Sequence, residues 1–446
     1  MAVPLLVVGG GLAGCEAAWQ LAQRGHEVAL LEMRPARPTP AHQTAELAEL
    51  VCTNSFKSED LANAHGLLKA EMRDLGSLLL RAADQTRVPA GSALAVDRSA
   101  FARTVTSLIQ SHPRITIERR ELTELPGSPA VIATGPLTSP PLAIAIAALL
   151  GSEGLAFYDS IAPIVAGDSI DRETVYFAAR WGKGESAEDY LNCPLDREQY
   201  YAFVEALAAA DVYAGHDWEA IPYFEGCLPI EVMAERGADT LRFGPMRPIG
   251  LRDPRTGKRP FAVVQLRRED AAGQMWNLVG FQTRLRTGEQ RRVFRTIPGL
   301  ERAEFLRTGS IHRNTYLNFP ATMLPHGAPA TRPDLVFAGQ LTGVEGYMES
   351  AASGILAGIN EHRMVRGQAP VVPPSTTMLG ALLRHLRTAE PVRFQPMNSN
   401  FGLLDPIPEI RKDQRRAALV ARARTHFREW LSGIEAEVAP GLVVAP

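Results

Sequence analysis

The chain has 446 residues, 46% of them hydrophobic and 22% charged, and a net charge of −2. That length gives two or three domains with ample core material, and the near-neutral balance argues against a globally basic nucleic-acid coat, so any nucleic-acid contact needs a local patch. Its four cysteines, Cys15, Cys52, Cys193 and Cys227, include no C-x-x-C pair, which argues against a disulfide framework or a short zinc or redox motif and fits a reducing compartment.

The first apolar stretch, "VPLLVVGG", follows Met1-Ala2 with no basic segment and runs straight into glycines, so no signal peptide is expected. It reads as a buried strand. "LAGCEAAWQLAQRG" reads as a helix closed by Gly25, and "HEVALLE" as the next strand. Strand, helix and strand in this order predict a βαβ unit on a parallel sheet. Gly9, Gly11 and Gly14 form G-x-G-x-x-G at the first strand-to-helix turn. The first glycine permits the turn, the second admits a pyrophosphate to the backbone, and the third lets the helix pack on the strand. Gly9, Gly10, Gly11, Leu12, Ala13 and Gly14 are therefore the expected cofactor loop. Glu32 ends the second strand where an acid that binds a ribose hydroxyl belongs, and a carboxylate there disfavours a 2′-phosphate. Cys15 and Trp19, inside the helix, read as core packing.

"PARPTPAHQ" reads as a loop, and "TAELAELVCTNSFKSED" as a short helix running into a polar turn. Residues 61–85 read as helical, and "ITIERRELTELP" and "PAVIATGPLTS" as strands returning to the first sheet. The longest strongly apolar run, Leu142 to Leu150, is too short to span a bilayer. The expectation is a cytoplasmic protein without a membrane segment. Beyond about residue 160 the alternation fades, and residues 169–299 read as an inserted α+β domain. "RPDLVFAGQLTGVEGYMESAASGILAGIN" restores strand, glycine loop and helix, with Gly339 and Gln340 in the loop. A second return so far down the chain favours FAD over NAD alone. The fold expected is α/β: an FAD-binding Rossmann-like domain of the two-dinucleotide-fold flavoprotein type, in two parts (1–168 and 300–446), around the insertion. "RGQAPVVPPSTT" reads as a Pro-rich linker, and a charged helix, "PEIRKDQRRAALVARARTHFREWL", closes the chain.

"VVGGGLAGCEAAWQLA", "ELVCTNSFKS", "YFEGCLPIEVMAERG", "IHRNTYLN" and "FAGQLTGVEGYMESAASGILAGIN" together resemble the folate- and FAD-dependent tRNA uracil-5-methyltransferase family, TrmFO. The resemblance runs from Gly9 to the "NSNFGLL" stretch. One departure is Thr53, where a serine is expected beside Cys52; it keeps the hydroxyl. The resemblance implies that a methylene from 5,10-methylenetetrahydrofolate and a hydride from reduced FAD become a methyl on C5 of the T-loop uridine at position 54 of tRNA, with NADH or NADPH re-reducing the flavin.

Uracil C5 is a poor nucleophile until a thiolate adds at C6, and cysteine suits that step because it attacks and leaves readily. Cys227, between Gly226 and Pro229 in a turn-prone stretch, is the expected nucleophile; a small buried filler is the rival reading. Cys52 is the expected general acid/base or a thiol near the flavin, with buried packing as its rival. Cys193 reads as packing. By the resemblance, His312 stacks on the pterin of the folate, and Arg313 and Asn314 hold its edge or glutamyl tail. Arginines at 252–259, at 284–295 and in the last helix suit phosphates, against a solvated face interleaved with acids. Trp218, Tyr223 and Phe224 are candidate stacking platforms for a splayed base, with core packing as the rival. Three other readings remain: a wobble-uridine enzyme of the MnmG/GidA type, normally longer at its C-terminus; a small-molecule flavin oxidoreductase; and a flavoprotein that binds tRNA without changing it.

Overall fold

The computed structural model describes residues 3–151, 155–182, 189–213, 223, 228–408, 410–411 and 413–435, with the backbone alone at 155–159, 311–313 and 435. The central sheet is parallel. Its strands lie in the order Leu335–Phe337, Ala130–Ile132, Leu5–Val8, Val28–Leu31 and Ile115–Glu118. Val28 to Leu31 are all buried, as are Ala130 to Ile132 and Leu335 to Phe337. Strands covered on both faces carry unbroken apolar runs rather than alternating ones, which is why these segments could be read from the sequence.

The helix Leu12–Gln23 leaves the first strand and ends at Gly25, whose φ is +90° and whose N–H donates to Ala22. Against it lies the long helix Tyr347–Val365. At Gly354 a Cβ would stand 2.2 Å from the Ala13 carbonyl oxygen, and at Gly358 one would stand 2.7 Å from that of Ala17. The two helices thus meet backbone to backbone, and this contact draws the late return of the chain onto the N-terminal glycine loop.

Two sequence expectations need correction. The short helix expected in "TAELAELVC" is absent; residues 44–50 form a bend at 44–45 and a turn at 47–48 with irregular chain between them. The carboxylate of Glu49 accepts from the backbone N–H groups of Gln43 and Thr44, and the Ala48 N–H donates to Gly10. Ala48 itself sits at φ +49°, so tertiary hydrogen bonds replace the helical ladder. The helical stretch 61–85 is two helices, Ala64–Asp74 and Leu78–Gln85, divided at Gly76, φ +72°. Buried Glu16 fixes the break by accepting from the Ser77 hydroxyl and the N–H groups of Leu78 and Leu79.

A second sheet of six antiparallel strands lies in the order Tyr176–Phe177, Tyr190–Leu195, Ala262–Arg268, Met275–Leu278, Ile164–Ala166 and Phe305–Arg307. It takes in short strands on both sides of the 169–299 span. Its own core includes Cys193, Tyr200, Phe203, Trp276 and Phe281. The chain leaves and re-enters the first domain through one antiparallel ribbon, Leu155–Ile161 with Ser310–Tyr316. The last helix, Arg415–Glu435, buries Leu419, Ala423 and Phe427 in the first core, and its Arg424 pairs with Asp74 at 2.8 Å. No helix among the described residues is long and apolar enough to cross a membrane.

Candidate functional site

A cavity of about 440 Å³ opens at the carboxyl ends of Leu5–Val8, Val28–Leu31, Ala130–Ile132 and Leu335–Phe337, where open α/β sheets bind ligands. Gly9, Gly11, Leu12, Ala13, Glu32, Gly339 and Gln340 line it. The three glycines of the loop differ in their surroundings. A Cβ on Gly9, at φ +105°, would lie 2.4 Å from the Ala133 carbonyl oxygen; on Gly14, it would lie 1.8 Å from that of Gly9. Around Gly11 nothing lies within 4 Å. The first and third positions close the strand-to-helix turn, and the second is left open toward the cavity, beside the free N–H groups that start the helix. This cradle fits a dinucleotide. Gly10 stands behind it: its N–H donates to Glu32 Oε2 at 2.9 Å, and a Cβ there would strike the Leu47 side chain.

Burial alone would raise the Glu32 carboxyl, but Arg34, which donates through Nε and its backbone N–H at 2.9 Å each, and the Gly10 N–H outweigh it and hold the group below its ordinary value. Arg34 also bonds Glu49 at 3.1 Å. With both partners acidic, Arg34 serves to keep Glu32 ionised and is not set out for a 2′-phosphate. His42, also on the cavity wall, is pushed down to about 4 by burial and by Arg34, so its imidazole is neutral.

Cys52 lies on the same cavity, on a loop tied by distant residues. The Tyr347 hydroxyl accepts from the N–H groups of Cys52, at 2.7 Å, and Thr53, at 3.2 Å. Arg98, paired with Glu269 at 2.8 Å, donates to the carbonyls of Leu50 and Cys52. Arg267, from the second sheet, donates to Thr53 Oγ1 at 2.6 Å and Asn54 Oδ1 at 2.9 Å. The Cys52 thiol reaches the Ser160 carbonyl at 3.6 Å. The loop is therefore held by three parts of the chain at once.

Cys227, with Trp218, Phe224 and Gly226, lies outside the described residues. Just after it, Pro229 precedes the helix Ile230–Glu235, and the Ile230 N–H donates at 2.7 Å to the carbonyl of Gln282, a cavity residue. Tyr223 lies under the Arg284 guanidinium, 6.0 Å from its ring centre. His312 and Arg313 are on the ribbon strand Ser310–Tyr316, their side chains outside the described residues; Asn314, on the same strand, is buried and lines the cavity. Cys15 and Cys193 are buried, and burial pushes both thiols well up.

Sequence reasoning passed over Arg34, Lys57, Arg267 and Tyr347, all on the cavity wall. One of them carried a signal. Gln265 and Arg267 are polar at alternate positions of the otherwise apolar "FAVVQLR", which marks one face of that strand as a polar wall. Lys57 has φ +62° in a bulged strand and lines the cavity, but nothing in its sequence context foretells that conformation.

The model of the family described as glucose inhibited division protein A matches residues 4–369. The methylenetetrahydrofolate–tRNA-(uracil-5-)-methyltransferase TrmFO of Geobacter sulfurreducens is 56% identical over 430 residues, covering 96% of this chain and 99% of that protein. The protein of the same name from Enterococcus faecalis is 53% identical over 425 residues, covering 95% and 97%. Among solved structures, Aquifex aeolicus GidA in its form I crystal has a TM-score of 0.67 over 97% of this chain and 78% of its own, at 17% identity, a likeness of fold alone. With over half its residues shared along nearly the whole length of both chains, the protein belongs to the TrmFO family within the glucose-inhibited-division-protein-A group.

Proposed function

We propose that the protein methylates uracil C5 in the T-loop of tRNA, at position 54, with methylenetetrahydrofolate as carbon donor. The observation that carries this reading is one cavity that joins a dinucleotide cradle to Cys52 and to Gln282, whose carbonyl accepts from the Ile230 N–H. Bound FAD, reduced by NADH or NADPH, supplies the hydride that takes the donated carbon to the methyl level.

The chain's own residues do the rest. The Gly9–Gly14 loop takes the pyrophosphate at the start of its helix, and ionised Glu32 faces the ribose end. Gly339 and Gln340 close the cavity from the late return. Cys227 adds its thiolate to uracil C6, which makes C5 the nucleophile. After C5 has bonded the carbon, Cys52 takes the C5 proton as the carbon's bond to the donor nitrogen breaks and tetrahydrofolate is released; the hydride then adds to that carbon, and the Cys227 thiolate leaves C6 as the ring double bond re-forms. Tyr347 and Arg267 hold Cys52 in place for that transfer. His312 stacks on the pterin, with Arg313 and Asn314 at its edge or tail. In this division of labour residues 1–168 and 300–446 hold the cofactor, and the 169–299 insertion carries the nucleophile and meets the tRNA. The place of action is the cytoplasm.

The test is mass spectrometry of an unmodified tRNA transcript incubated with protein, NADH and methylenetetrahydrofolate. One added methyl on the T-loop uridine, absent without folate and absent with Cys227→Ala, supports the reading. Folate-independent oxidation of NADH with no methyl added would overturn it in favour of a small-molecule flavin oxidoreductase.

A further inference from the structure

Trp181 is out of place as a core residue: it is 68% exposed, and its backbone is at φ +61°. Bulky residues rarely adopt that conformation unless their surroundings impose it. Here the Trp181 N–H donates to Gly250 at 2.9 Å, and the indole lies across Gly250. A Cβ at Gly250 would come within 2.8 Å of the ring, and Gly250 is itself at φ +85°. Two residues in left-handed conformations thus hold an indole against bare backbone with most of its surface in water.

Among the described residues, the charges beside it also lack an anion. Arg180 is fixed by neutral acceptors, Gln265 Oε1 at 2.9 Å and the Ile249 carbonyl at 2.8 Å. Among the described residues neither Arg180 nor Arg247 pairs with a carboxylate. Burial, and then the like charge of Arg247, lower the Arg180 pKa. Arg247 is exposed. A phosphate would relieve this repulsion and match the planar guanidinium fork.

The location is next to the site. Gln265, which holds Arg180, and Arg267, which holds the Cys52 loop, are alternate residues of the strand Ala262–Arg268 and share one face. Their Cα atoms are about 7 Å apart.

We infer that Trp181, Arg180 and Arg247 form a docking platform at the edge of the catalytic cavity for one unpaired nucleotide of the tRNA substrate, base on indole and phosphate on the arginines. The inference rests on the tRNA reading above. Aromatic stacking is tolerant of base identity, so the platform positions the tRNA and does not read its sequence.

The experiment uses full-length flavin-loaded protein and an unmodified tRNA transcript. Affinity is measured over a series of salt concentrations, methylation is resolved into kcat and KM, and NADH-driven flavin reduction is followed without tRNA. Trp181→Ala should weaken binding by about 10-fold, through KM and not kcat, with Trp181→Phe restoring most of it. Arg247→Gln should lower the slope of log affinity against log salt by about 0.7–0.9, the share of one phosphate. Flavin reduction should not change. If the wild type methylates the transcript and both variants keep its affinity and salt slope, the platform is wrong and the function stands. If the wild type does not bind the transcript at all, the functional reading fails and takes the platform with it.

Discussion

Tyr347→Phe is the most informative single change at the site. It removes one oxygen and keeps the ring, which makes an edge contact with Phe56 at 6.1 Å between centroids. That oxygen accepts two backbone N–H groups, from Cys52 at 2.7 Å and Thr53 at 3.2 Å. A buried donor left without a partner costs about 1–3 kcal/mol. The Cys52 bond, at 2.7 Å, is the shorter and the Thr53 bond, at 3.2 Å, the weaker, so the expected loss is about 2 kcal/mol rather than the sum of two full penalties. In a protein of this size that lowers Tm by about 2–3 °C. If the loop moves as a result, Cys52 shifts from its working position, and methylation falls about 10- to 30-fold at equal substrate. Burial pushes the Tyr347 phenol well up, so it stays neutral and the loss should not vary between about pH 6 and 9. The assay pairs thermal unfolding with single-turnover methylation, after flavin content is shown to be unchanged. A Tyr347→Phe enzyme with wild-type Tm and wild-type turnover would refute the claim that this hydroxyl holds the Cys52 loop for the proposed reaction.

The glycine cradle predicts two opposite outcomes. Gly14→Ala forces a Cβ to 1.8 Å from the Gly9 oxygen, so the variant should purify without flavin and melt early. Gly11→Ala has open space around it, so it should keep its Tm and lose only flavin affinity; absorbance of bound flavin per protein distinguishes the two. Stability should also depend on pH in a defined direction. Burial raises Glu16 to about 7 and both Glu71 and Glu361 to about 8; their folded pKa values exceed the unfolded ones, so this stability is present in full below about 4.5 and is lost as pH rises through 7 and 8. Both Glu361 oxygens lack a hydrogen-bond partner among the described residues, so Glu361→Gln should remove about 1.4 kcal/mol per pH unit of that slope, and denaturant unfolding from about pH 5 to 8 with an unchanged slope would count against it. Glu349 runs the other way. Burial raises it, but His65, Lys57 and Ser399 outweigh burial and hold it at about 2, so its contribution is present above about 4.5 and is lost as pH falls toward 2; Glu349→Gln should flatten the acid limb of the same curve.

What the sequence revealed and what it hid follow from the range of the interactions involved. The parallel sheet and the glycine loop were legible because their determinants are local: unbroken apolar strands, and glycines required within one turn by contacts such as Gly14 on Gly9. The "TAELAELV" stretch has helical periodicity but folds as a bend and a turn, because Glu49 and the Gly10 carbonyl take its backbone donors; propensity yields when tertiary partners offer the same hydrogen bonds. The partners of Cys52 were hidden for a further reason. Tyr347 lies 295 residues from it in sequence, and Arg267 lies 214 residues from Thr53. No window of sequence spans such pairs. Each was inconspicuous where it stood: Tyr347 as one more residue of a glycine-rich return, and Arg267 as one arginine among many. Yet these two set the geometry, since a cysteine on an untethered loop has no defined position from which to take a proton. The cysteines could be named as candidate reactive groups from residue type and setting, but the position of the Cys52 loop is fixed by a helix and a strand that reach it only in the folded chain. That is why the Tyr347→Phe variant, which leaves every expected catalytic residue in place, should still lose activity.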